Sequence, residues 1–208
     1  MASATVDVVI ETGQKRVFAS ALYFPGWSRS GRSEDDAIAA LVAAGDRYGV
    51  VAALAGVTVP EKVDVRIIER VPGNATTDFG APAIRAASES QVGSAAQRSR
   101  RSALVQACWQ YFDSVAGHAP EELRKGPRGG GRDTSKVIEH VHGAEDAYKG
   151  KLGIRDVKDP AEIRTLMVDA IVSGRPPEKE NQWPAAYAAR RIAWHVLDHA
   201  WEIEDRSQ

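Results

Sequence analysis

The sequence predicts an α+β protein in which a small N-terminal α/β unit is followed by an antiparallel four-helix bundle. Three observations support this fold class. About the first 80 residues alternate β-rich runs with one apolar helical stripe, the next stretch is small and polar, and four segments of helical periodicity follow. We therefore expect an α/β unit at residues 1–80, a linker or long loop at 81–95, and the bundle at 96–208.

The N-terminal unit is predicted to contain a β-hairpin, a helix and one further strand. The hairpin is expected because two β-rich runs flank a turn at Gly13. Ser33 is a good helix N-cap, since the three residues directly after it are acidic and favour the first turn. The predicted elements are strands at 5–12 and 16–24, a helix from 34 that ends near 45–49, and a strand at 62–71.

The connecting region, residues 72–95, is small and polar, carries proline and glycine, and lacks sustained periodicity. This composition is typical of a linker or a long loop between two parts of a chain. Its centre, residues 76–80, could instead form a structured turn that packs Phe79 onto the neighbouring domain.

Four helices are predicted in the remainder of the chain, with ordinary start and stop signals. The third has Pro160 at its first position and Gly174 just past its end. Four helices of this length imply an antiparallel bundle. They are expected from about 96 to 117, from 134 to 152, from 159 to 173, and from 185 to about 205.

The composition is that of a globular protein and argues against several classes of partner. The 208 residues are 43% hydrophobic and carry a net charge of −1, so neither a nucleic acid nor an anionic membrane is expected as a partner. No apolar run approaches the roughly 20 residues of a membrane helix, and the N-terminus lacks the pattern of a secretory signal. The single cysteine, Cys108, permits no intramolecular disulfide, which fits a cytoplasmic location.

Three histidines carry the strongest functional signal. His195 and His199 are four residues apart, which places both on one face of a helix. Both join the apolar stripe of the last helix, and His140 joins the stripe of the second, whereas His142 lies about 200° from His140 and should face elsewhere. Three inward imidazoles on two helices predict a metal site with three nitrogen ligands.

The alternative is that these histidines are hydrogen-bonded core residues, which is the usual state of a single core-facing histidine. Here three of the five histidines fall on inward faces. Burying several imidazoles without partners is unfavourable, and histidine is the commonest metal-binding side chain. The pattern therefore favours a metal.

The segments HVHGAEDAY, with His140, and WHVLDHAWEIED, with His195 and His199, resemble the DinB-like family of metal-binding four-helix bundles over about residues 96–206. The resemblance implies that these three histidines bind a divalent metal. Members of the family include thiol-dependent transferases and isomerases, hydrolase-like proteins and self-resistance proteins. The segment FPGWSRSGRSEDDAIAAL is similar to the strand–loop–helix of HicB-like antitoxin domains, which bears on the fold alone.

Three neutral imidazoles leave one position open on a tetrahedral metal, as in catalytic zinc sites, and nickel or iron also accepts such ligands. The metal would lower the pKa of a bound water or of a low-molecular-weight thiol. This predicts a metal-dependent transferase or hydrolase acting on a small molecule. Val196 stands where a metalloprotease needs glutamate, so a protease is not expected.

Two other functions stay open. The chain could be a non-catalytic metal- or ligand-binding protein linked to stress or resistance, or a regulatory protein whose N-terminal unit binds a partner. An exposed strand edge in that unit could also pair two copies into a homodimer.

Other residues near the histidines are further candidates. The basic, glycine-rich stretch 124–132 could hold an anionic group of the substrate or be an ordinary surface loop. Cys108 is expected to be an inert buried thiol, with a role as fourth ligand or nucleophile as the alternative. Acidic residues that could accept a hydrogen bond from a ligating imidazole, or be solvated surface charges, are Glu139, Glu145, Asp198 and Glu202. Aromatic residues that could shape a pocket or pack the bundle are Trp109, Trp194 and Trp201.

Overall fold

The computed structural model describes residues 4–126 and 131–207, and over these residues the protein is a mixed α+β structure. A four-stranded sheet in the N-terminal part is combined with α-helices that include four long ones in the C-terminal part. The strands are β1 (Ala4–Thr12), β2 (Val17–Ala21), β3 (Ser28–Gly31) and β4 (Val63–Pro72). The helices are α1 (Glu34–Ala43), α2 (Gly45–Leu54), α3 (Ala75–Phe79), α4 (Ala95–His118), α5 (Thr134–Lys149), α6 (Pro160–Ser173) and α7 (Ala185–Arg206).

The sheet contains the predicted hairpin and the predicted later strand. β1 pairs antiparallel with β2 and parallel with β4, which gives the strand order β3-β2-β1-β4. No strand was predicted where β3 lies, between the second predicted strand and the first predicted helix, and its sequence, SRSG, has no β-branched or aromatic residue. It forms by backbone pairing with β2.

A break in register divides β4 into two parts. Val8 pairs with Ile67 and Val9 pairs with Glu69, so Ile68 has no partner in β1. Such a bulge shifts which side chains share a face. Ile67 packs on the main core, whereas Val71, beyond the bulge, packs with Val9 in a second cluster.

The first predicted helix is in fact two helices, and the predicted end near 45–49 is wrong. α2 begins at Gly45, directly after α1, and continues through Gly49. Its buried Tyr48 stacks on Trp27 with ring centroids 5.3 Å apart. This packing outweighs the roughly 1 kcal/mol by which each glycine disfavours a helix.

No single helix among the described residues is long and apolar enough to span a membrane, and only the bent pair α1–α2 reaches that length and composition jointly.

The connecting region contains more structure than a plain linker. It forms α3 and a short 3₁₀ helix at Ala87–Ser90. The prediction that Phe79 packs onto the neighbouring domain is wrong, since this side chain is 88% exposed. The region is instead held by the buried Glu11 of β1, whose carboxylate accepts hydrogen bonds from the backbone N–H groups of Ala83 and Ile84, both at 3.0 Å.

The four long helices begin and end close to the predicted residues. Pro160 opens α6, and Gly174, with φ of 61°, follows its last turn in the left-handed conformation that glycine adopts easily. Helix α4 contacts α6 and α7, and α5 also contacts α6 and α7. In α7, 15 of the 22 residues are buried, which makes it the central helix of this part of the protein.

The sheet side of the protein packs directly on α7. Trp201 lies between two guanidinium groups, with the Cζ atom of Arg29 at 3.8 Å and that of Arg47 at 4.9 Å from its ring centroid. Arg29 also pairs with Asp198 at 3.2 Å, and Arg47 pairs with Glu204 at 2.6 Å. β3 and α2 are therefore tied to the helix that carries His195 and His199.

A buried ion pair fixes the connecting region to the same helix. The Nε and Nη2 atoms of Arg190 in α7 donate to the two carboxylate oxygens of Glu89, at 2.5 and 2.9 Å. The same Nη2 also donates to the carbonyl of Ile84 at 2.9 Å. Both side chains are almost completely buried. Removing one member would leave an uncompensated charge in the interior.

We expect Arg190→Met to lower the free energy of unfolding by about 3–5 kcal/mol, because Glu89 would remain buried without its partner. The double variant Glu89→Gln/Arg190→Met should recover much of this loss, since it removes both charges. Urea denaturation measures both effects. Arg66→Met is the matched control: it removes a two-point pair with Asp7 that is exposed to solvent, and it should change stability little. Equal losses in Arg190→Met and Arg66→Met would contradict the assignment.

Candidate metal centre

The three predicted histidines come together. His140 projects from α5, and His195 and His199 project from successive turns of α7. One ligand nitrogen of each lies within 4.8 Å of the other two, close enough to hold a metal ion. The Nε2 atoms of His140 and His195 are 3.2 Å apart. His142, as expected, lies elsewhere, in a cleft with Trp109 and Arg164.

His195 is the most deeply buried of the three, with 7% of its surface exposed. Burial lowers the pKa of its imidazole to about 2, and electrostatic interactions with the neighbouring His199 and Arg191 act in the same direction. The pKa of His140 is also lowered, mainly by burial and then by His199 and Arg132. Both rings are therefore neutral at pH 7, which is the state that a metal ion requires.

A carboxylate orients the ring of His199. Its Nδ1 lies 2.8 Å from Oε2 of Glu202, and Arg206 donates to the other oxygen of that carboxylate at 2.8 Å. A proton on Nδ1 leaves Nε2 as the lone-pair nitrogen for ligation. Glu202 thus has the position that we expected for an acceptor behind a ligating imidazole.

The other three acidic candidates have different partners. Glu139 is exposed and pairs with Lys136 on the surface of α5. Glu145 is buried but accepts from Nε1 of Trp109 at 2.7 Å and from Arg164 at 3.0 Å. Asp198 pairs with Arg29, as described above. Glu145 and Asp198 bind partners that are distant in the chain. Glu139 and Glu202 each have a partner three residues away, so sequence spacing alone does not separate them.

An open cleft of about 710 Å³ is lined by His140 together with Arg132 and Lys136. Lys136 is neutralised by Glu139, whereas Arg132 makes no ion pair with any residue in the described ranges. The predicted anion-binding loop is only partly visible here, since residues 127–130 lie outside the described residues. In its described part, Lys125 pairs with Asp133, so Arg132 is the member whose charge faces the cleft beside His140.

The three tryptophan candidates also have different surroundings. Trp109 is bonded to Glu145 and Trp201 is covered by Arg29 and Arg47, so both serve the packing of helices. Trp194 packs edge-on against Phe18 at 6.0 Å, and its ring centroid is 6.3 Å from that of His195.

Two residues beside the centre were not predicted from the sequence to belong to it. The ring of Tyr148 on α5 packs edge-on against His195, with centroids 5.8 Å apart. Arg191 lies over the rings of Tyr148 and Trp194, at 5.6 and 4.9 Å from the centroids. The signal that could have found Arg191 is its position four residues before His195, which places both on one helical face.

Cys108 is a buried thiol, as expected, and is not positioned as a fourth ligand. It is fully buried in the main core, where Gly26 approaches its sulfur closely. Burial raises the pKa of the thiol well above its ordinary value. It is absent from the group of side chains close enough to share a metal with His140.

We expect the thiol of Cys108 to stay unmodified when the native protein is incubated with 5,5′-dithiobis(2-nitrobenzoate), even at pH 9. The reason is that only the thiolate reacts, and burial suppresses both its formation and its contact with reagent. Absorbance of the released thiol measures the reaction, and full reaction in guanidinium chloride is the control. Rapid modification of the folded protein would contradict the burial of Cys108.

Comparisons with protein families, with curated proteins and with solved structures find no match to this chain. The functional inference therefore depends on the geometry of the three histidines and their surroundings. These three side chains lie close enough to hold a metal ion, the ring of His199 is oriented by Glu202, and an open cleft lies beside His140.

Proposed function

We propose that this protein is a metal-dependent enzyme of transferase or hydrolase type that acts on a small molecule. Its metal is a divalent ion, with zinc as the first candidate, and it is held by His140, His195 and His199. The observation that carries the proposal is that one nitrogen from each of these side chains lies within 4.8 Å of the others. Nickel or iron would suit the same ligands.

Each residue of the centre has a defined part in the proposal. The bound metal supplies one open position at which the pKa of a water or of a low-molecular-weight thiol falls towards neutrality. Burial keeps the imidazole of His195 neutral, and Glu202 holds the ring of His199 in the orientation that ligation needs. The cleft beside His140 gives a small electrophilic substrate its access.

The same proposal assigns residues 96–208 to a DinB-like antiparallel four-helix bundle. What supports it is the resemblance around His140, His195 and His199, together with the contacts of α4 and α5 with both α6 and α7. A cytoplasmic location and a homodimer remain part of the proposal. The HicB-like similarity bears on the fold of the N-terminal unit and not on this reaction.

We expect the purified protein to contain about one divalent metal ion per chain, and elemental analysis measures this directly. His195→Ala and His140→Ala should each lose most of the metal, because two imidazoles and water bind far more weakly than three imidazoles. The matched control is His142→Ala, which removes a second histidine of α5, the helix of His140; the side chain of His142 lies in another cleft. It should keep its metal.

Two results would contradict the metal centre. One is a wild-type protein that contains no metal and takes up no added Zn²⁺ or Ni²⁺ in calorimetric titration. The other is equal metal loss in His142→Ala and His195→Ala, which would mean that the metal is bound elsewhere or nonspecifically.

We expect the zinc-loaded protein to accelerate one of two model reactions at least tenfold over the metal-free protein. Hydrolysis of p-nitrophenyl acetate reports an activated water, and arylation of a small thiol by 1-chloro-2,4-dinitrobenzene reports an activated thiol. Both are followed by absorbance. His142→Ala should retain the rate and His195→Ala should lose it.

If metal binds to the three histidines but neither reaction responds to it, the catalytic proposal is wrong for both nucleophiles. The non-catalytic alternative, a protein that binds a metal or ligand in a stress or resistance response, would then account for the site.

A further inference from the structure

Arg191 differs from the other arginines of α7 because it has no acidic partner among the residues that the structure describes. Arg190 pairs with Glu89, and Arg206 pairs with Glu202. The Nη1 atom of Arg191 is buried, and it makes no hydrogen bond within the described ranges 4–126 and 131–207. A guanidinium nitrogen that is removed from water and has no acceptor is unfavourable.

Aromatic rings account for only part of the environment of Arg191. Its Cζ atom lies 4.9 Å from the ring centroid of Trp194 and 5.6 Å from that of Tyr148, in positions over the rings. Such contacts stabilise the positive charge through the face of the ring. They do not supply an acceptor in the plane of the guanidinium, where its N–H groups point.

A second buried donor lies one helical turn further along. The Nδ1 atom of His195 is also buried and without a hydrogen-bond partner among the residues that the structure describes. When Nε2 of a histidine binds a metal, Nδ1 carries the proton and normally donates to a carboxylate, a carbonyl or water. His199 has such an acceptor in Glu202, whereas His195 has none.

We propose that Arg191 and His195 Nδ1 form a subsite for a carboxylate, and that the small molecule used by the metal centre carries that carboxylate. The second part rests on the proposed function. The first requires only that Nε2 of His195 accepts, from a metal or from Nε2 of His140 at 3.2 Å, since the proton of His195 is then on Nδ1. Arg191 and His195 are four residues apart on one face of α7, a separation that lets the two oxygens of one planar carboxylate accept from both. The charge of Arg132 in the cleft beside His140 attracts the same kind of ligand.

The subsite is tested on the metal-free full-length protein with sodium acetate, at ionic strength held constant with sodium chloride. The indole N–H resonance of Trp194, over which Arg191 lies, is followed in ¹⁵N-labelled protein. Acetate should cause a saturable shift, and acetamide, which is neutral and of the same shape, should cause none. A shift that rises linearly with acetate, or equally with acetamide, would overturn the subsite whether or not the protein binds metal.

Arg191→Met should weaken acetate binding at least tenfold. Its thermal midpoint should not fall, because the substitution removes a buried charge that has no acidic partner and keeps an apolar stem of similar length. Arg175→Met, which makes the same charge change at an exposed position after α6, is the matched control and should bind acetate as the wild type does. Unchanged acetate binding in Arg191→Met would overturn the proposal. Should that variant fail to fold, Arg191→Lys gives the same test, since it keeps the charge but loses the planar donors.

A second measurement separates a carboxylate of the substrate from a free anion. The Co²⁺-loaded protein is titrated with 6-mercaptohexanoate and with 6-mercaptohexan-1-ol, whose chains are long enough to reach from the metal past the imidazole ring of His195 to its Nδ1, and the cobalt–thiolate absorption band reports binding at the metal. The carboxylate thiol should bind at least tenfold more tightly, and Arg191→Met should abolish this preference while leaving binding of the alcohol thiol unchanged. Equal affinity of the two thiols in the wild type, with acetate still bound, would overturn the substrate assignment. Failure of Co²⁺ to bind would count against the proposed function instead, and the acetate titration would still decide the subsite.

Discussion

The buried ion pair between Arg190 and Glu89 is the interaction on which the arrangement of this protein depends. Arg190 also binds the carbonyl of Ile84, while Glu11 of β1 binds the N–H groups of Ala83 and Ile84 from the other side. A continuous set of buried polar contacts thus connects the sheet, the connecting region and α7. Since His195 lies five residues after Arg190 on the same helix, a contact with the N-terminal part of the chain helps to position the two candidate metal ligands of α7, His195 and His199.

The elements that the sequence predicted well are those that depend on local signals. The hairpin at Gly13, the cap at Ser33 and the boundaries of α6 at Pro160 and Gly174 follow from residues next to one another, and the structure has them. Helical periodicity also predicted that His140, His195 and His199 lie close together, and the structure has this arrangement. Helix α2 was missed because its two glycines are compensated by the packing of Tyr48 on Trp27, a contact outside its own segment.

Features that join distant residues could not be predicted from the sequence. Glu89 and Arg190 are 101 positions apart, so no periodicity links them. The same limit explains why the partners of Glu145 and Asp198 could not be predicted, and why Arg191 was not recognised as lacking an acidic partner among the described residues. In each case the deciding information is which charged groups the fold pairs and which it leaves without a partner.

The bulge at Ile68 has a consequence for how the sheet can associate. β4 is the last strand in the order β3-β2-β1-β4, and its outer edge is interrupted after the fifth residue, where Ile68 leaves the register. A second chain that added itself there could form only a short ladder on either side of the bulge, and Pro72 offers no N–H at the far end. The opposite edge, β3, is only four residues long. Both edges therefore disfavour growth of the sheet from molecule to molecule, the first step of amyloid-type aggregation, and they favour a surface other than a strand edge for the proposed homodimer.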